Sequence, residues 1–291
     1  MKVAIGPSRH YPSWKWCAED LIPGLQKQHE IQPFHHYSEL PGHDFDVVMI
    51  VKHPPPRKNP IPSGKIIYLP IDYFMSASQI SSRSNFLQRC DIVAVHCERL
   101  VEHLGTYCKR IETIEHYDKY AVPSPINYNP GGLVLWTGMC TYVKSLYDWY
   151  LERPRSFGVV ALTNRIASLS DFQVKCPSIQ LSEWSEMLQQ QCFKKAKAGL
   201  DIKGNNFHQQ TKPPTKIQQL IASGIPSAVN HGSYTWEYFH GKGLDLASPD
   251  DHVRWFSEAY WKEIHDFLPV LRQSISKPNV IHSYLNLIET A

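Results

Sequence analysis

The feature that most constrains this fold is a nearly continuous apolar run, Asp-Val-Val-Met-Ile-Val, at residues 46–51. Strands buried on both faces of a parallel sheet carry such runs, whereas half-exposed strands alternate apolar and polar residues. Similar short runs recur at 2–6, 65–69, 91–95 and 111–115, and stretches of helical character lie between several of them. This alternation predicts an α/β fold built from Rossmann-like, doubly wound sheets.

The alternation stops at residues 122–132, which are rich in Pro, Asn and Gly and have no helical or strand period. Strands are then predicted at 133–136, 157–162, 172–176, 198–202 and 225–229, with helices at 181–191 and 215–223. We therefore expect an N-terminal domain at 1–125, a C-terminal domain at 126–275, and a last helix at 276–291 that packs back on the N-terminal domain. A cleft faced by both domains is the expected ligand site, because open α/β sheets bind ligands beyond the carboxyl ends of their strands.

Composition excludes several classes of function. The net charge of +3 is too small to predict nucleic-acid binding, and no apolar run is long enough to span a bilayer. The N-terminus lacks the apolar region of a signal peptide, and the seven cysteines are scattered, with no Cys-x-x-Cys pair. These features predict a cytoplasmic protein with reduced thiols, and they leave peripheral membrane contact open.

The absence of several catalytic motifs excludes further classes of enzyme. The chain has no Gly-x-Ser-x-Gly elbow, no Walker loop and no Gly-x-Gly-x-x-Gly, which argues against a serine hydrolase, a P-loop NTPase and a nicotinamide dehydrogenase. No set of His, Cys and Asp has the spacing of metal ligands along the chain, so no metal site is predicted.

The most informative segment is the loop that opens the helix at 215–223. It places Lys212, Thr215 and Lys216 at the positive end of a helix, where ammonium, hydroxyl and backbone N–H groups suit a diphosphate. A capped surface helix with solvated lysines has the same pattern, so spacing alone leaves both interpretations open. The helix is expected to end at Gly224, a residue suited to the left-handed conformation, with Pro226 just beyond.

The residues that follow this helix, Ile-Ala-Ser-Gly-Ile-Pro-Ser-Ala-Val (221–229), resemble the donor half of GT-B glycosyltransferases, and most of all the family-4 type. Leu-Val-Leu-Trp-Thr-Gly (133–138) with Lys144 is similar to that family's first C-domain strand, its glycine and its phosphate-binding lysine. The resemblance implies transfer of a sugar from a nucleotide diphosphate sugar without a bound metal or cofactor. The donor-binding residues it implies are Gly138, Lys144, Lys212, Thr215, Lys216 and Glu237.

Three positions depart from the family pattern. Met139 stands where the family usually has an arginine beside the glycine. Thr211 and Gln219 stand where it usually has two glutamates around the donor loop. These departures bear on the retaining family-4 mechanism and on activity itself.

The residues that would bind the acceptor and remove its proton are predicted in the N-terminal domain. In the loop after the first strand, Arg9 suits an anionic group, while Trp14 and Trp16 offer flat faces to a sugar. His10 is a candidate general base because its free pKa lies near neutrality, and Asp72, at another strand end, is the second candidate. A surface loop with its aromatics packed on the domain is the alternative. His53 and His96 also lie at strand ends, where a single histidine is more often a hydrogen-bonded structural residue.

The sequence thus predicts a GT-B-like glycosyltransferase that moves a sugar to a hydroxyl acceptor, which is a glycan, a lipid-linked glycan or a small molecule. The missing arginine and glutamates keep a second hypothesis open, a catalytically silent nucleotide-binding or scaffold protein. A nucleotide-sugar epimerase of the same architecture is the third, although a carboxylate set around the sugar is not evident.

Overall fold

The computed structural model describes residues 1–8, 11–42, 44–56, 63–153 and 155–291. The chain divides into two compact units. Unit 1 comprises Met1–Tyr117, Asn206–Pro213 and Gln273–Ala291, and unit 2 comprises Asp118–Asn205 and Pro214–Arg272. The short segment Asn206–Pro213 therefore belongs to unit 1, although the residues on both sides of it belong to unit 2.

Unit 1 is built on a parallel sheet of six strands in the order β2-β1-β3-β4-β5-β6. The run predicted at 46–51 forms β3, and all five of its residues are buried. The strands are Lys2–Gly6 (β1), Glu30–Pro33 (β2), Val47–Val51 (β3), Lys65–Leu69 (β4), Ile92–Val95 (β5) and Ile111–Thr113 (β6).

Unit 2 is built on a parallel sheet of five strands in the order β11-β10-β7-β8-β9. Counted from the first strand of the unit, this is the 3-2-1-4-5 order of a Rossmann sheet read from the opposite edge. The strands are Leu133–Thr137 (β7), Val159–Thr163 (β8), Ile179–Glu183 (β9), Ala196–Asp201 (β10) and Ser227–Val229 (β11). The predicted fold class, two Rossmann-like α/β sheets, is confirmed.

Fourteen α-helices are described along the chain. Several begin where a serine side chain accepts a hydrogen bond from the backbone N–H three residues on, as Ser185 does from Leu188 and Ser233 from Trp236. The helices are Pro12–Trp14 (α1), Ile22–Leu25 (α2), Ala77–Ser81 (α3), Ser84–Leu87 (α4), Arg99–Leu104 (α5), Val143–Glu152 (α6), Ser170–Lys175 (α7), Glu186–Lys195 (α8), Phe207–Gln210 (α9), Thr215–Ala222 (α10), Tyr234–Gly241 (α11), His252–Trp255 (α12), Glu258–Ile275 (α13) and Lys277–Thr290 (α14). No helix among the described residues is both long and apolar enough to cross a bilayer.

The core of unit 1 joins the first strands to the last helix of the chain. Val280, Tyr284 and Ile288 of α14 belong to one buried cluster with the apolar residues of β1, β3 and β4. Gly24 in α2 permits close approach, because a Cβ there would lie 2.4 Å from the Ile281 side chain. Helix α14 therefore completes the N-terminal sheet from the far end of the sequence.

One predicted element is wrong, and the helix predicted after it begins later than expected, as α8. Residues 172–176, predicted as a strand, lie mostly in helix α7, and the strand is β9, which overlaps the helix predicted at 181–191. Ile179 and Leu181 are buried and pair with β8. The alternation of buried and more exposed residues in β9 is short, and the longer helical pattern that follows it concealed the strand in the sequence.

Helix α13 runs unbroken through Pro269. A proline inside a helix removes one backbone hydrogen bond and disfavours the helix. Ile264, Leu268 and Leu271 are buried on either side of the proline, so packing of the apolar face holds the helix together.

Candidate functional site

The carboxyl edge of the unit 2 sheet collects polar groups where the strand order reverses, between β7 and β10. Gly138 directly follows β7, and Asp201 is the last residue of β10. A Cβ on Gly138 would lie 2.4 Å from the Trp136 ring and 2.9 Å from Lys216 Nζ. Only glycine therefore leaves room for this tryptophan and this lysine together, at the point where doubly wound sheets bind their ligands.

Lys216 comes to this edge from the first turn of α10. Its Nζ lies 3.5 Å from Asp201 Oδ1, 4.9 Å from the centre of the Trp136 ring and 5.9 Å from that of Tyr142. The side chain is 28% exposed, so its ammonium group remains accessible to a ligand.

Asp201 also forms an ion pair with a second lysine, which is more deeply buried. Lys203 Nζ lies 3.0 Å from Asp201 Oδ2, and the side chains are only 7% and 2% exposed. Burial alone would raise the pKa of Asp201, but the ammonium groups of Lys203 and Lys216 outweigh it and hold the pKa below its usual value. The carboxylate is thus ionised at neutral pH, and the cluster carries one net positive charge.

The start of α10 adds neutral donors to these charges. Thr215 is the first residue of the helix, and its buried Oγ1 has no hydrogen-bond partner among the described residues. The first backbone N–H groups of a helix are also left without intrahelical partners, and they carry the positive end of the helix dipole. Thr215, Lys216 and Gly138, which the sequence assigns to the donor site, therefore lie in one region of unit 2.

The other residues assigned to the donor are not in contact with this cluster in any recorded ion pair or hydrogen bond among the described residues. Lys144 is 71% exposed and donates a 2.6 Å bond to Asp148 one turn along α6. Glu237 is exposed in the first turn of α11. Lys212 lies in unit 1 and faces a different carboxylate.

The positions that depart from the family pattern have local roles. Thr211 donates its hydroxyl proton to the Phe207 carbonyl, and Gln219 Oε1 accepts a 2.7 Å bond from the Tyr120 backbone N–H. Met139 is exposed next to Gly138. Two of the three side chains are thus bonded to the backbone of their own unit.

In unit 1, a second charged group lies at the carboxyl edge of the sheet. Lys212 Nζ lies 3.5 Å from Asp72 Oδ2, and Lys52 is the other ammonium group that acts on this carboxylate. Asp72 Oδ1 is buried and has no hydrogen-bond partner in the described part of the chain. Lys52 and Asp72 follow the neighbouring strands β3 and β4.

Both of these residues adopt left-handed backbone conformations, with φ of 63° at Lys52 and 48° at Asp72. Such conformations are unfavourable for residues other than glycine and are concentrated at functional sites. Burial favours the neutral form of Asp72, yet Lys212 and Lys52 dominate and keep its pKa below the usual value. The result is an ionised carboxylate with one oxygen still available to accept a proton or a hydrogen bond.

A cavity of about 440 Å³ opens near the point where the strand order of unit 1 reverses, between β1 and β3. Tyr11, His35 and His53 are among the side chains that line it, so part of its wall is aromatic. Its volume is within the usual range for small-molecule sites.

The acceptor residues predicted in the loop after β1 are only partly described. Arg9 and His10 lie outside the described residues, and their roles stay predictions. Trp14 is 9% exposed within the core of unit 1, and Trp16 packs against that core and donates its indole N–H to the Tyr117 carbonyl at 3.0 Å. Both indoles are thus used in packing.

Sequence reasoning missed Lys52, Asp201 and Lys203. Lys52 directly follows the buried strand β3, and a position at a strand end is the same signal that identified Asp72. Asp201 ends a short strand with the sequence Ala-Lys-Ala-Gly-Leu-Asp, and a charged residue at a strand's carboxyl end could have marked it as a candidate.

Comparison with known proteins establishes the fold. No protein-family model and no curated protein sequence matches the chain. Among solved structures, it is similar to Anabaena HepE in complex with UDP and glucose, at 9% identity over 100% of both chains, with a TM-score of 0.65. It is also similar to AviGT4, a glycosyltransferase involved in avilamycin A biosynthesis, at 12% identity over 99% of this chain and 97% of that one, with a TM-score of 0.60.

A third similar structure is WaaG, a glycosyltransferase involved in lipopolysaccharide biosynthesis. It is 8% identical, the match covers 99% of this chain and 100% of that one, and the TM-score is 0.58. Likeness at this level of identity establishes the fold, which is that of the GT-B glycosyltransferases.

Proposed function

We propose that this protein is a glycosyltransferase that moves a sugar from a nucleotide diphosphate sugar to a hydroxyl group of an acceptor. The observation that carries the proposal is the cluster at the strand-order reversal of unit 2, where Lys216 lies against Gly138 and Asp201 at the start of α10. Because the HepE structure contains UDP and glucose, a uridine diphosphate sugar is the first donor to test.

Each group in the cluster has a distinct task in this proposal. Lys216, the Thr215 hydroxyl and the first N–H groups of α10 bind the diphosphate and stabilise the negative charge that develops as it leaves. Asp201 positions Lys216 and neutralises the buried Lys203, so that one net positive charge faces the donor.

Asp72 is proposed to act on the acceptor in unit 1. In an inverting transfer, the acceptor oxygen forms a bond to the anomeric carbon as the bond from that carbon to the diphosphate oxygen breaks. The acceptor proton passes to Asp72 Oδ1, the carboxylate oxygen that has no partner among the described groups. His10 remains the other candidate base.

Nucleotide binding is tested by thermal shift and calorimetry with UDP, GDP, ADP, CMP and dTDP. A ligand at about 100 times its Kd should stabilise the protein by about 2.7 kcal/mol. Lys216→Ala should abolish the effect, whereas Lys262→Ala, which removes an exposed lysine paired with Glu258, should preserve it. A well-folded protein that binds none of these nucleotides, or a Lys216→Ala variant that binds as tightly as the wild type, would refute the donor site.

Transfer is tested separately through hydrolysis of the UDP-sugar, since water can replace an unknown acceptor. Asp72→Asn should keep nucleotide affinity and lose hydrolysis. Full hydrolysis in this variant would exclude Asp72 as the base.

The second candidate function is nucleotide binding without transfer. It is favoured by Thr211 and Gln219, which replace the family's glutamates with side chains bonded to the backbone. Tight nucleotide binding with no turnover of any donor sugar would support it over the transferase.

A further inference from the structure

Three potential metal ligands meet inside unit 1, although they are far apart in the sequence. Cys17 lies in the π-helical turn Lys15–Glu19, while His96 directly follows β5 and His116 comes shortly after β6. Their ligand atoms all lie within 4.8 Å of one another, and all three residues are buried. Cys17 and His116 are 99 positions apart, so ligand spacing along the chain could not reveal the group.

The distance between two of these atoms is that of ligands on one zinc ion. Cys17 Sγ lies 3.5 Å from His116 Nδ1. With zinc bonds of about 2.3 Å to sulfur and about 2.05 Å to nitrogen at a tetrahedral angle, the two ligand atoms should be about 3.6 Å apart. The pair therefore needs little change in separation to bind a metal.

His96 provides an independent sign of a missing ligand. It is 7% exposed, and neither of its ring nitrogens has a hydrogen-bond partner among the described residues. A buried polar group without a partner is costly, and native proteins normally give each such group a protein, water or ion partner. The orphaned ring is stacked on His116, with 3.9 Å between the ring centres.

A place for one water molecule lies beside the same histidine. A cavity of about 10 Å³ is lined by His96, Asp72 and Thr211, among others. This is close to the smallest volume that holds a single water. Asp72, whose Oδ1 has no hydrogen-bond partner among the described residues, is one of the residues that line it.

We propose that Cys17, His96 and His116 bind a zinc ion, with a water molecule in this cavity as the fourth ligand. Thiolate and imidazole ligands in this combination suit Zn²⁺, which prefers four tetrahedral ligands. Binding releases the Cys17 thiol proton to solvent as the sulfur–zinc bond forms. Because the imidazoles are stacked nearly parallel, one ring rotates about χ2 to direct its lone pair at the ion.

Such a site would link the N-terminal helical turn to the ends of two strands. It does not involve Lys216 or the other residues of the proposed donor site in unit 2, whereas Asp72, the proposed base, lines the cavity that would hold the water ligand. Loss of zinc should therefore leave nucleotide affinity in unit 2 unchanged.

The test begins with the full-length protein, stripped of metal by a chelator and then supplied with one equivalent of Zn²⁺. After desalting, elemental analysis should find one zinc per chain. With Co²⁺ in place of zinc, the spectrum should show the thiolate-to-cobalt charge-transfer band and the visible bands of a tetrahedral ion.

Cys17→Ser and His96→Gln should weaken zinc binding by more than the roughly 10–100-fold lost when a group that only orients a zinc ligand is removed. The matched control is Cys90→Ser, because Cys90 is also buried in unit 1 but lies outside the cluster. It should bind zinc like the wild type. Circular dichroism of each metal-free variant verifies that it is folded.

The proposal is overturned if the folded wild type retains no zinc and gives no thiolate–cobalt band. It is also overturned if Cys17→Ser binds zinc as tightly as the wild type. A preference for Cu⁺ over Zn²⁺ in competition would replace zinc with copper as the occupant and so contradict the proposal as stated.

Discussion

The buried cluster of Asp201, Lys203 and Lys216 predicts a large loss of stability when its carboxylate is neutralised. In Asp201→Asn, Lys203 keeps its ammonium group on a side chain that is 7% exposed, and it loses the carboxylate 3.0 Å away. Lys216 is 28% exposed and can turn to solvent, so the cost falls mainly on Lys203. Breaking a buried ion pair on one side costs about 3–5 kcal/mol, and we expect Asp201→Asn to fall in this range.

A double-mutant cycle separates this cost from other effects of the substitution. Lys203→Met should be milder than Asp201→Asn, because Asp201 keeps Lys216 as a partner. In the double variant no unpaired ammonium group remains buried, so most of the stability lost in Asp201→Asn should return. The coupling energy between the two positions should be at least about 2 kcal/mol.

The assay is urea unfolding at pH 7, followed by circular dichroism. Asp148→Asn is the matched control, because Asp148 pairs with Lys144 at an exposed position of the same unit. It should change stability by less than about 1 kcal/mol. The reasoning is refuted if Asp201→Asn costs no more than this control, or if the double variant is no more stable than Asp201→Asn.

The same cluster predicts a pH dependence. The pKa of Asp201 is lowered in the folded state, so its contribution to stability is present above the unfolded pKa, near 4, and is lost as the pH falls through the folded value. The difference between the wild type and Asp201→Asn should therefore shrink below about pH 4 and stay constant from pH 5 to 7. A difference that shrinks instead between pH 7 and 5 would assign the effect to another group.

Three further predictions concern other positions. Arg272 donates hydrogen bonds to the carbonyls of Ala222, Pro123 and Val122. Arg272→Met should therefore destabilise the protein by about 2–4 kcal/mol in urea unfolding, and an unchanged stability would contradict this. Gly138→Ala should lower the melting temperature and weaken UDP binding in calorimetry, because the new Cβ would lie 2.4 Å from the Trp136 ring. A variant that binds UDP with wild-type affinity would refute this prediction. Burial lowers the pKa of His116 to about 4, so metal-free protein should lose about 2 kcal/mol between pH 6.5 and 5 from this residue, and His116→Gln should remove that part of the slope in urea unfolding.

Local sequence signals predicted much of the secondary structure. The apolar run at 46–51 became β3, buried throughout, because a strand covered on both faces has no polar side. Gly224 adopts the predicted left-handed conformation, with φ of 77°, just after the end of α10. These signals depend on neighbours within a few residues, so one sequence was enough to read them.

Local sequence patterns did not predict the structure correctly where a strand pattern ran into a helical one, or where tertiary packing outweighed a residue's low helix propensity. The strand β9 was hidden by the helical pattern after it, and Pro269 did not interrupt α13 because buried residues on both sides hold the helix. In both places the outcome depends on contacts that are distant in the sequence.

The sequence by itself determined the class of fold and identified Lys216 and Asp72 as residues at helix or strand ends, because the end of an element is a local property. The tertiary structure alone decided which charges meet. It paired Lys212 with Asp72 and Lys216 with Asp201, and it brought Cys17 to His116 across 99 positions. Strand order and packing determine which side chains meet, and neither can be deduced from the number of residues between them in the sequence.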